Sequence, residues 1–246
     1  MISLYPAIDL RDGVAVRLVQ GDFDRSTIFN EDPVAQARDF AREGATHLHV
    51  VDLDGALTGT PVHAPIVAQL AAAFPGVVEL GGGLRDRVAV ETAIATGVDR
   101  VVVGTAVLED DAFVRWAAGR LGDRLVVSLD ARDGMVATHA WTQVSDRAAV
   151  DVAAELARTG VRHLLYTDIG RDGTLNGPNF AALKEVAQAA PPLTILASGG
   201  IASLDDLTAL AEMRVPNIRG VIVGRALYEG RFGVAEALAT LAKAAR

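Results

Sequence analysis

Two aspartates lie at matching places in the chain, with surroundings that suit acid–base chemistry. Asp9 ends the apolar run PAID, Asp130 ends VVSLD, and the dipeptide Asp-Gly follows each of them within four residues. A single aspartate at a strand end is often structural, held by an arginine or a backbone amide. Two that face each other across a pocket could act as general base and general acid, with burial raising the pKa of the acid. The sequence has no HExxH motif and no clustered metal ligands, so we expect no metal.

The two aspartates belong to a longer internal repeat. Further matching pairs follow in the same order: THLHVVDLDGALTG with RHLLYTDIGRDGTLNG, ELGGGLR with ASGGIAS, and VVVGTAVLED with VIVGRALYEG. Matching positions, such as Asp52 and Asp168, lie 116 to 121 residues apart. We interpret the chain as one domain, 1–246, built from two halves of about 1–122 and 123–246.

Short β-branched runs alternate with alanine-rich stretches of helical spacing. The runs are LYPAID, HLHVVD, VVEL, RVVVG, LVVSLD, HLLYTD, TILAS and GVIVG. Asp32 can cap the first helix, Pro33 can open it and Gly44 can close it. Apolar strands alternating with helices predict a parallel sheet, either an open doubly wound sheet or a (β/α)8 barrel. The repeat favours the barrel, made of two (β/α)4 halves.

Composition narrows the function classes. The chain has 246 residues, half of them hydrophobic, a net charge of −8 and no cysteine. These values argue against a nucleic-acid binder and exclude disulfides and cysteine nucleophiles. No apolar run approaches a membrane span, and the first residues lack a signal-peptide pattern. We expect a cytoplasmic protein that binds neither nucleic acid nor membrane.

Glycines at the strand ends suggest anion binding. In a barrel of this type the site lies at the carboxyl ends of the strands, where bare amides near helix N-termini can hold phosphate. The alternative is that these glycines merely end strands. Because both halves carry them, we expect two phosphate sites and a ligand with a phosphate at each end. The glycines are Gly82 and Gly83, Gly199 and Gly200, Gly104, and Gly224.

Several neighbouring residues allow two interpretations. Arg225 could clamp phosphate or pair with an acid, and Thr105 and Thr174 could bind phosphate or cap helices. Trp141 could stack on a planar base or pack against its own loop. Three histidines lie in the predicted strands and are expected to have core or supporting roles: His47, His49 and His163. The other two, His63 and His139, are expected to lie in loops.

Taken together, the motifs resemble one enzyme family. PAIDL, STIFNEDP, HVVDLDGA, GGGLR, VVVGTAVLED, SLDARDG, TDIGRDGTLNG, ASGGI and VIVGRALYEG are similar to segments of the ProFAR isomerase family of histidine biosynthesis. ProFAR is phosphoribosylformimino-aminoimidazole carboxamide ribotide. Each motif alone is weak, but the ordered set covers essentially the whole chain.

The resemblance implies an Amadori rearrangement of a bisphosphorylated aminoaldose to an aminoketose, without cofactor or metal, in a protein that is often monomeric. It assigns the base to Asp9, the acid to Asp130 and a supporting hydrogen bond to Thr167, with Asp168 as a competing acid. The segments 21–30 and 134–144 are expected to be loops that close over the site. The residues expected to bind substrate are Arg17, Gly82, Gly83, Arg85, Gly104, Thr105, Trp141, Asp172, Gly173, Thr174, Gly199, Gly200, Gly224 and Arg225.

Other functions remain as alternatives at this stage. The related cyclase subunit of imidazole glycerol phosphate synthase usually has a Cys and a Lys near the first strand, where this chain has PAIDL and Arg17. A bifunctional isomerase that also accepts phosphoribosylanthranilate typically has an Arg before the loop Trp, where this chain reads THAWTQ. Arg17 and Arg85 could hold an anthranilate carboxylate, a phosphate or an aspartate. A non-catalytic sensor and a different phosphate-binding lyase or epimerase are less consistent with two aspartates and doubled glycines.

Overall fold

The computed structural model describes residues 1–19, 22–104, 110–138 and 141–244. Its strands are β1 (Ser3–Arg11), β2 (Val14–Val19), β3 (Asp22–Asn30), β4 (His47–Asp52), β5 (Val77–Gly81), β6 (Arg100–Val103), β7 (Leu125–Arg132), β8 (Met135–Thr138), β9 (Gln143–Ala148), β10 (His163–Asp168), β11 (Thr194–Ser198) and β12 (Ile218–Val223). Its α-helices are α1 (Pro33–Arg42), α2 (Leu53–Thr58), α3 (Ala64–Ala73), α4 (Arg87–Ala95), α5 (Asp111–Leu121), α6 (Ala149–Leu156), α7 (Phe180–Ala189), α8 (Leu204–Glu212), α9 (Arg225–Tyr228) and α10 (Val234–Ala244).

Eight of the strands close into a parallel barrel. They are hydrogen-bonded in the order β1, β4, β5, β6, β7, β10, β11 and β12, and β12 pairs again with β1. Each corresponds to one of the apolar runs in the sequence, and helices lie between them. The predicted (β/α)8 barrel is confirmed, and the open doubly wound sheet is wrong.

The core has two parts because the barrel strands bury both faces. A small cluster fills the barrel interior and includes Tyr5, Val126 and Leu196. A much larger cluster lies between the barrel and the surrounding helices and includes Leu48, Leu70 and Leu164. Alternate residues of each strand therefore face inward, and at the carboxyl ends several inward positions are polar, such as Asp9, Asp130 and Thr167.

The helix boundaries follow the signals in the sequence. The Asp32 side chain accepts a hydrogen bond from the Ala35 N–H at 2.9 Å, and Pro33 is the first helical residue of α1. Gly44 has a φ of +101°, which lets the chain leave this helix through the left-handed region. Among the described helices, none combines the length and apolar composition needed to cross a lipid bilayer.

The segments 21–30 and 134–144, which were expected to be loops, consist mostly of strands in their described residues. β2 and β3 make an antiparallel hairpin on the end of β1, and β8 and β9 make one on the end of β7. Both hairpins start at an Asp-Gly turn in which the two residues have positive φ: Asp12 and Gly13, then Asp133 and Gly134. This geometry is typical of the tightest hairpin turns. The two halves thus share an extension above the same barrel position.

Candidate active site

A cavity of about 240 Å³ lies at the carboxyl ends of the barrel strands. Ten of the residues predicted from the sequence line it: Asp9, Arg17, Gly82, Gly83, Arg85, Gly104, Asp130, Trp141, Thr167 and Asp172. The β-strand register explains this, since Asp130 and Thr167 are direct neighbours on β7 and β10, and Thr167 neighbours Ser198 on β11. Both hairpins contribute side chains to the cavity wall, Arg17 from β2 and Phe23 from β3 among them. The barrel therefore brings the two aspartates to one cavity.

Asp9 is paired with a cation. Its carboxylate oxygen Oδ2 lies 2.7 Å from Nη1 of Arg17, and both side chains are largely buried. Burial alone would lower the pKa of the Arg17 guanidinium, but the carboxylates of Asp9 and Asp172 raise it above its ordinary value. Arg17 therefore keeps its positive charge beside Asp9, which suits a carboxylate that accepts a proton.

Asp130 has neutral partners instead. Its Oδ2 accepts a hydrogen bond from the indole N–H of Trp141 at 2.8 Å, and its Oδ1 accepts one from the Ser128 hydroxyl at 2.9 Å. Burial raises the pKa of Asp130 above its usual range, although hydrogen bonds from Trp141, Ser128 and Thr167 oppose the increase. A carboxyl that retains its proton more readily than usual is suited to act as a general acid.

Asp172 is a third carboxyl group in the cavity. Burial raises its pKa to about 6; the positive charge of Arg17 opposes this, and the negative charges of Asp9 and Asp130 add to it. The sequence suggested only a substrate-binding role for this residue, because it lies in a loop after β10 and not at a strand end. Its proximity to both other carboxylates makes Asp172 the stronger competitor of Asp130 for the acid role.

Asp168, the competing acid expected from the resemblance, is not among the residues that line the main cavity. It borders a separate small cavity, and its carboxylate accepts hydrogen bonds from the Gly170 N–H and from Asn179 Nδ2 at 3.0 and 2.8 Å. Asp52, its counterpart in the first half, accepts bonds from three backbone N–H groups between 2.7 and 2.9 Å. These contacts give both aspartates a structural role in organising the loops that follow their strands.

The glycine pairs have a packing reason that the sequence did not separate from phosphate binding. A Cβ at Gly82 would overlap the carbonyl oxygen of Asp52, and one at Gly199 would lie 2.7 Å from that of Asp168. Both glycines also have φ near +100°, at +101° and +94°. Close approach to the neighbouring strand therefore requires glycine in both halves, whatever ligand the amides bind.

A second, smaller depression lies beside the main cavity at the ends of β11 and β12. Gly173, Gly200, Gly224 and Arg225 line it, as expected for the phosphate site of the second half, and it shares Ile222 with the main cavity. Arg225 here donates to Glu229 at 2.6 Å and to the carbonyl oxygen of Gly173.

The equivalent phosphate site in the first half was expected at Gly104 and Thr105. Gly104 lines the main cavity, and Thr105 lies outside the described residues. The hydroxyl of Thr174, a residue of the second half, donates to the Arg171 carbonyl at 2.8 Å, so it stabilises its own loop. Arg85 lies on the rim of the main cavity and donates to the carbonyl oxygen of Ala56 at 2.8 Å.

Aromatic side chains from the two hairpin regions line the cavity. Trp141 has a φ of +70°, and its indole N–H donates a hydrogen bond to Asp130 on β7. Its side chain therefore has a partner outside its own loop. Phe23, which the sequence analysis overlooked, also borders the cavity and packs under the Arg11 guanidinium, 5.3 Å from its ring centroid. The sequence could have indicated Phe23, because it is an aromatic residue within a polar segment.

Three possible metal ligands, Asp52, Asp54 and His63, lie within 4.8 Å of one another. Their polar atoms already have partners in the protein, since Asp54 bonds to His63 at 2.6 Å and to the Asp12 N–H at 2.8 Å. With the three backbone bonds to Asp52, this arrangement fixes the loop after β4 and serves as a structural cluster.

Sequence comparison decides the family of the chain. A family model described as "Histidine biosynthesis protein" matches residues 3–233. The chain belongs to the histidine biosynthesis protein family. Among curated relatives of this family, the protein from Sphingopyxis alaskensis is 52% identical over 238 residues, which cover 97% of each chain. That from Rhizorhabdus wittichii is 52% identical over 96% of this chain and 97% of its own, and that from Xanthobacter autotrophicus is 50% identical over 98% of each.

All three relatives carry the name 1-(5-phosphoribosyl)-5-((5-phosphoribosylamino)methylideneamino) imidazole-4-carboxamide isomerase. Membership of the histidine biosynthesis protein family confirms the resemblance drawn from the motifs. The family model, which spans residues 3–233, includes every strand of the barrel and both hairpins.

Proposed function

We propose that this protein is an isomerase of histidine biosynthesis that converts the aminoaldose ProFAR to its aminoketose. The name shared by the relatives supports this reaction, and so does the observation that carries it: Asp9 and Asp130 line one cavity with opposite kinds of partner. The substrate has a phosphate on each of its two ribose units. The depression at β11 and β12 and the region of Gly104 at β6 supply one candidate phosphate site in each half.

The reaction proceeds by two proton transfers at the cavity carboxyls. Asp130 donates its proton to the ribose ring oxygen; the C1–O bond breaks, and the nitrogen lone pair forms a protonated Schiff base with C1. Asp9 then removes the proton from C2, and those electrons neutralise the iminium group and give an enolamine. The enolamine tautomerises to the ketose by taking a proton at C1 as the C2 hydroxyl loses one. Neither a metal nor a cofactor takes part in these steps.

The environments of the carboxyls support this division of roles. Arg17 compensates the negative charge that Asp9 needs in order to accept a proton. The raised pKa of Asp130 favours the protonated form that a general acid needs, and Thr167, its neighbour on β10, hydrogen-bonds to it. Asp172 is the alternative acid, because its pKa is also raised and it lies beside both aspartates.

The test is a paired assay of the purified protein with ProFAR and with phosphoribosylanthranilate as separate substrates. Turnover of ProFAR alone is the expected result. Turnover of both would extend the function to a bifunctional isomerase and direct attention to Arg17, Arg85 and Trp141. Tight binding of ProFAR without turnover of either compound would contradict the enzyme assignment and favour a sensor.

We also propose that the protein acts as a monomer in the cytoplasm and that the chain is one domain made of two related halves. The matched Asp-Gly turns, glycine pairs and hairpins support the relation between the halves. Sedimentation analysis across a concentration series tests the monomer, and a concentration-dependent rise in mass would contradict it.

A further inference from the structure

The barrel interior contains a histidine to which the proposed reaction assigns no role. His49, on β4, is 6% exposed and lines the main cavity. His47, two residues earlier on the same strand, does not line that cavity and lies against the Tyr5 ring with centroids 4.5 Å apart. Two residues of the same type on one strand thus have different surroundings, and only one of them reaches the substrate space.

A buried glutamate orients the His49 ring. Nδ1 of His49 is 2.7 Å from Oε1 of Glu79, whose exposure is 0%. Burying a carboxylate is costly without a partner, and the second oxygen of Glu79 has no hydrogen-bond partner in the described part of the chain. His49 is thus hydrogen-bonded to the buried Glu79 carboxylate, which places the ring proton on Nδ1. A carboxylate bonded to one imidazole nitrogen fixes both the tautomer and the ring direction.

The other ring nitrogen is available to a ligand. With the proton on Nδ1, the Nε2 atom of the neutral ring is a hydrogen-bond acceptor. No described residue forms a hydrogen bond with Nε2, and this atom is not among those that the protein encloses completely. Its neighbour across the strand pair is Ala7, and Gly81 follows two residues after Glu79 on β5, so small residues leave the ring uncovered.

His49 lies close to the reacting carboxyls. His49 is near enough to Asp130 and Asp172 to affect the pKa of each carboxyl, although burial is the largest influence on both. On β4 it lies one inward position below the level of Asp9, because Asp9 neighbours Val51 in the register of β1 and β4. A group that rests on the cavity floor between the two aspartates would meet Nε2.

We propose that Nε2 of His49, oriented by Glu79, contacts the substrate by accepting a hydrogen bond from a hydroxyl of the sugar that Asp9 and Asp130 rearrange. This inference rests on the proposed isomerase function. The contact holds the sugar so that its C2 proton points to Asp9. Glu79 does not touch the substrate and is a positioning residue.

The decisive variant is His49→Asn, because asparagine retains a donor near the Nδ1 position for Glu79 and lacks the Nε2 atom. We expect kcat/KM for ProFAR to fall at least about tenfold, in the range typical of losing one well-placed hydrogen bond to substrate. His49→Gln, whose amide oxygen reaches the Nε2 position, should recover part of the loss. His47→Asn is the matched control and should leave kcat and KM within about twofold, whatever it does to Tm.

Glu79 is tested by a double-mutant cycle. Glu79→Gln should lower kcat/KM less than His49→Asn does, and the double variant should be no slower than His49→Asn alone, because the glutamate acts through the histidine. Independent, multiplicative losses would contradict this dependence. If the pair were only structural, Tm would fall in both variants while kcat and KM stayed at their wild-type values.

A measurement on the wild-type protein covers the case in which the variants do not fold. Imidazole ¹⁵N NMR should show the Nε2 resonance of His49 shifting when the aminoketose product is added, while the resonances of His47 stay in place. An unshifted Nε2 resonance with product bound, or a His49→Asn enzyme within twofold of wild type, overturns the proposal. If wild-type protein neither turns over ProFAR nor binds the product, the proposed function itself fails, and this inference fails with it.

Discussion

Asp9 and Asp130 occupy equivalent positions in the two halves of the barrel, but their neighbours differ in charge. Asp9 faces the guanidinium of Arg17 at 2.7 Å, whereas Asp130 accepts hydrogen bonds from the neutral groups of Trp141 and Ser128. The first arrangement favours a carboxylate, and the second accompanies a raised pKa. The repeat provides two identical groups, and the departures from the repeat give them different chemical properties.

The departures arise in the hairpin regions. Each hairpin extends a barrel strand through the same Asp-Gly turn, but β2 carries Arg17 to Asp9, and Trp141, between β8 and β9, reaches Asp130. The barrel strands therefore place the carboxyls, and the segments above them give the two carboxyls different electrostatic surroundings. Changing the segments should alter the contrast between the halves without altering the barrel.

The largest effect is expected from removing either carboxyl. Asp9→Asn and Asp130→Asn should each lower kcat by about 10³-fold, in the range of general acid–base catalysis, because the amide can neither accept nor donate the required proton. Steady-state assays with ProFAR measure kcat. Titration calorimetry should show that both variants bind the aminoketose product with nearly the wild-type affinity. Near-normal turnover in either variant would remove that residue from the mechanism.

A smaller effect is expected from glycines at the ends of two matching strands, β6 and β12. A Cβ at Gly224 would overlap the Arg17 guanidinium, whereas the nearest atom to a Cβ at Gly104 is 3.9 Å away on Ser128. Gly224→Ala should therefore displace Arg17 from Asp9 and lower kcat/KM by about 30-fold, within the range of misplacing a group in an active site. Gly104→Ala is the matched comparison, because it leaves Arg17 in place, and its kcat should change less than about threefold. A near-normal kcat in Gly224→Ala would show that Arg17 can shift without loss.

Trp141→Phe tests the neutral partner of Asp130. The indole N–H lowers the pKa of Asp130, so its loss should raise that pKa further. The alkaline limb of the kcat–pH profile, where the acid loses its proton, should move to higher pH. The plateau value of kcat should fall by roughly tenfold, because the carboxyl also loses the hydrogen bond that orients it. A limb that stays in place in this variant and is abolished in Asp172→Asn would assign the acid role to Asp172.

The smallest effect concerns stability and Asp172. Its pKa is raised to about 6 in the fold, so the folded state binds this proton more tightly than the unfolded chain does. Ionisation of Asp172 therefore costs stability above pH 6, and the cost disappears as the pH falls through about 6 towards 4. Asp172→Asn should raise Tm by roughly 5 °C at pH 8 and by almost nothing at pH 4.

Differential scanning calorimetry across this pH range measures the effect. Asp133→Asn is the control, because Asp133 is exposed in a turn, and its change in Tm should not depend on pH in the same way. An Asp172→Asn protein whose Tm gain grows towards acid pH would show that the carboxylate stabilises the fold instead.

The barrel itself could be predicted from the chain alone. The eight apolar runs became the eight parallel strands, and the strand-end position of Asp9 and Asp130 was enough to place both at the carboxyl ends. Strands buried on both faces have a strong and simple sequence signal. The hairpin strands were not recognised. β2 and β8 are the short apolar runs VAVRLV and MVAT, whereas β9 reads QVSDRA, has no buried residue and begins within the expected loop 134–144.

Local sequence was least informative about residues of the same type with different roles. Asp168 and Asp172 lie four residues apart, yet the former accepts bonds from Asn179 and its own loop, and the latter faces the cavity. The strand histidines were grouped together as core or supporting residues, although only His49 borders the cavity among His47, His49 and His163. Such differences depend on which groups of distant segments lie nearby.

The sequence by itself determined the repeated strand pattern and the two aspartates at strand ends, because both follow from local periodicity. It also determined where glycine stands, and the absence of a side chain there lets neighbouring strands approach. Only the tertiary structure decided which charged and neutral groups surround each site residue. Arg17 meets Asp9, Trp141 meets Asp130, and Glu79 meets His49 across separations that run from eight to thirty residues. A pKa depends on burial and on neighbouring charges in space, and closure of the barrel sets both.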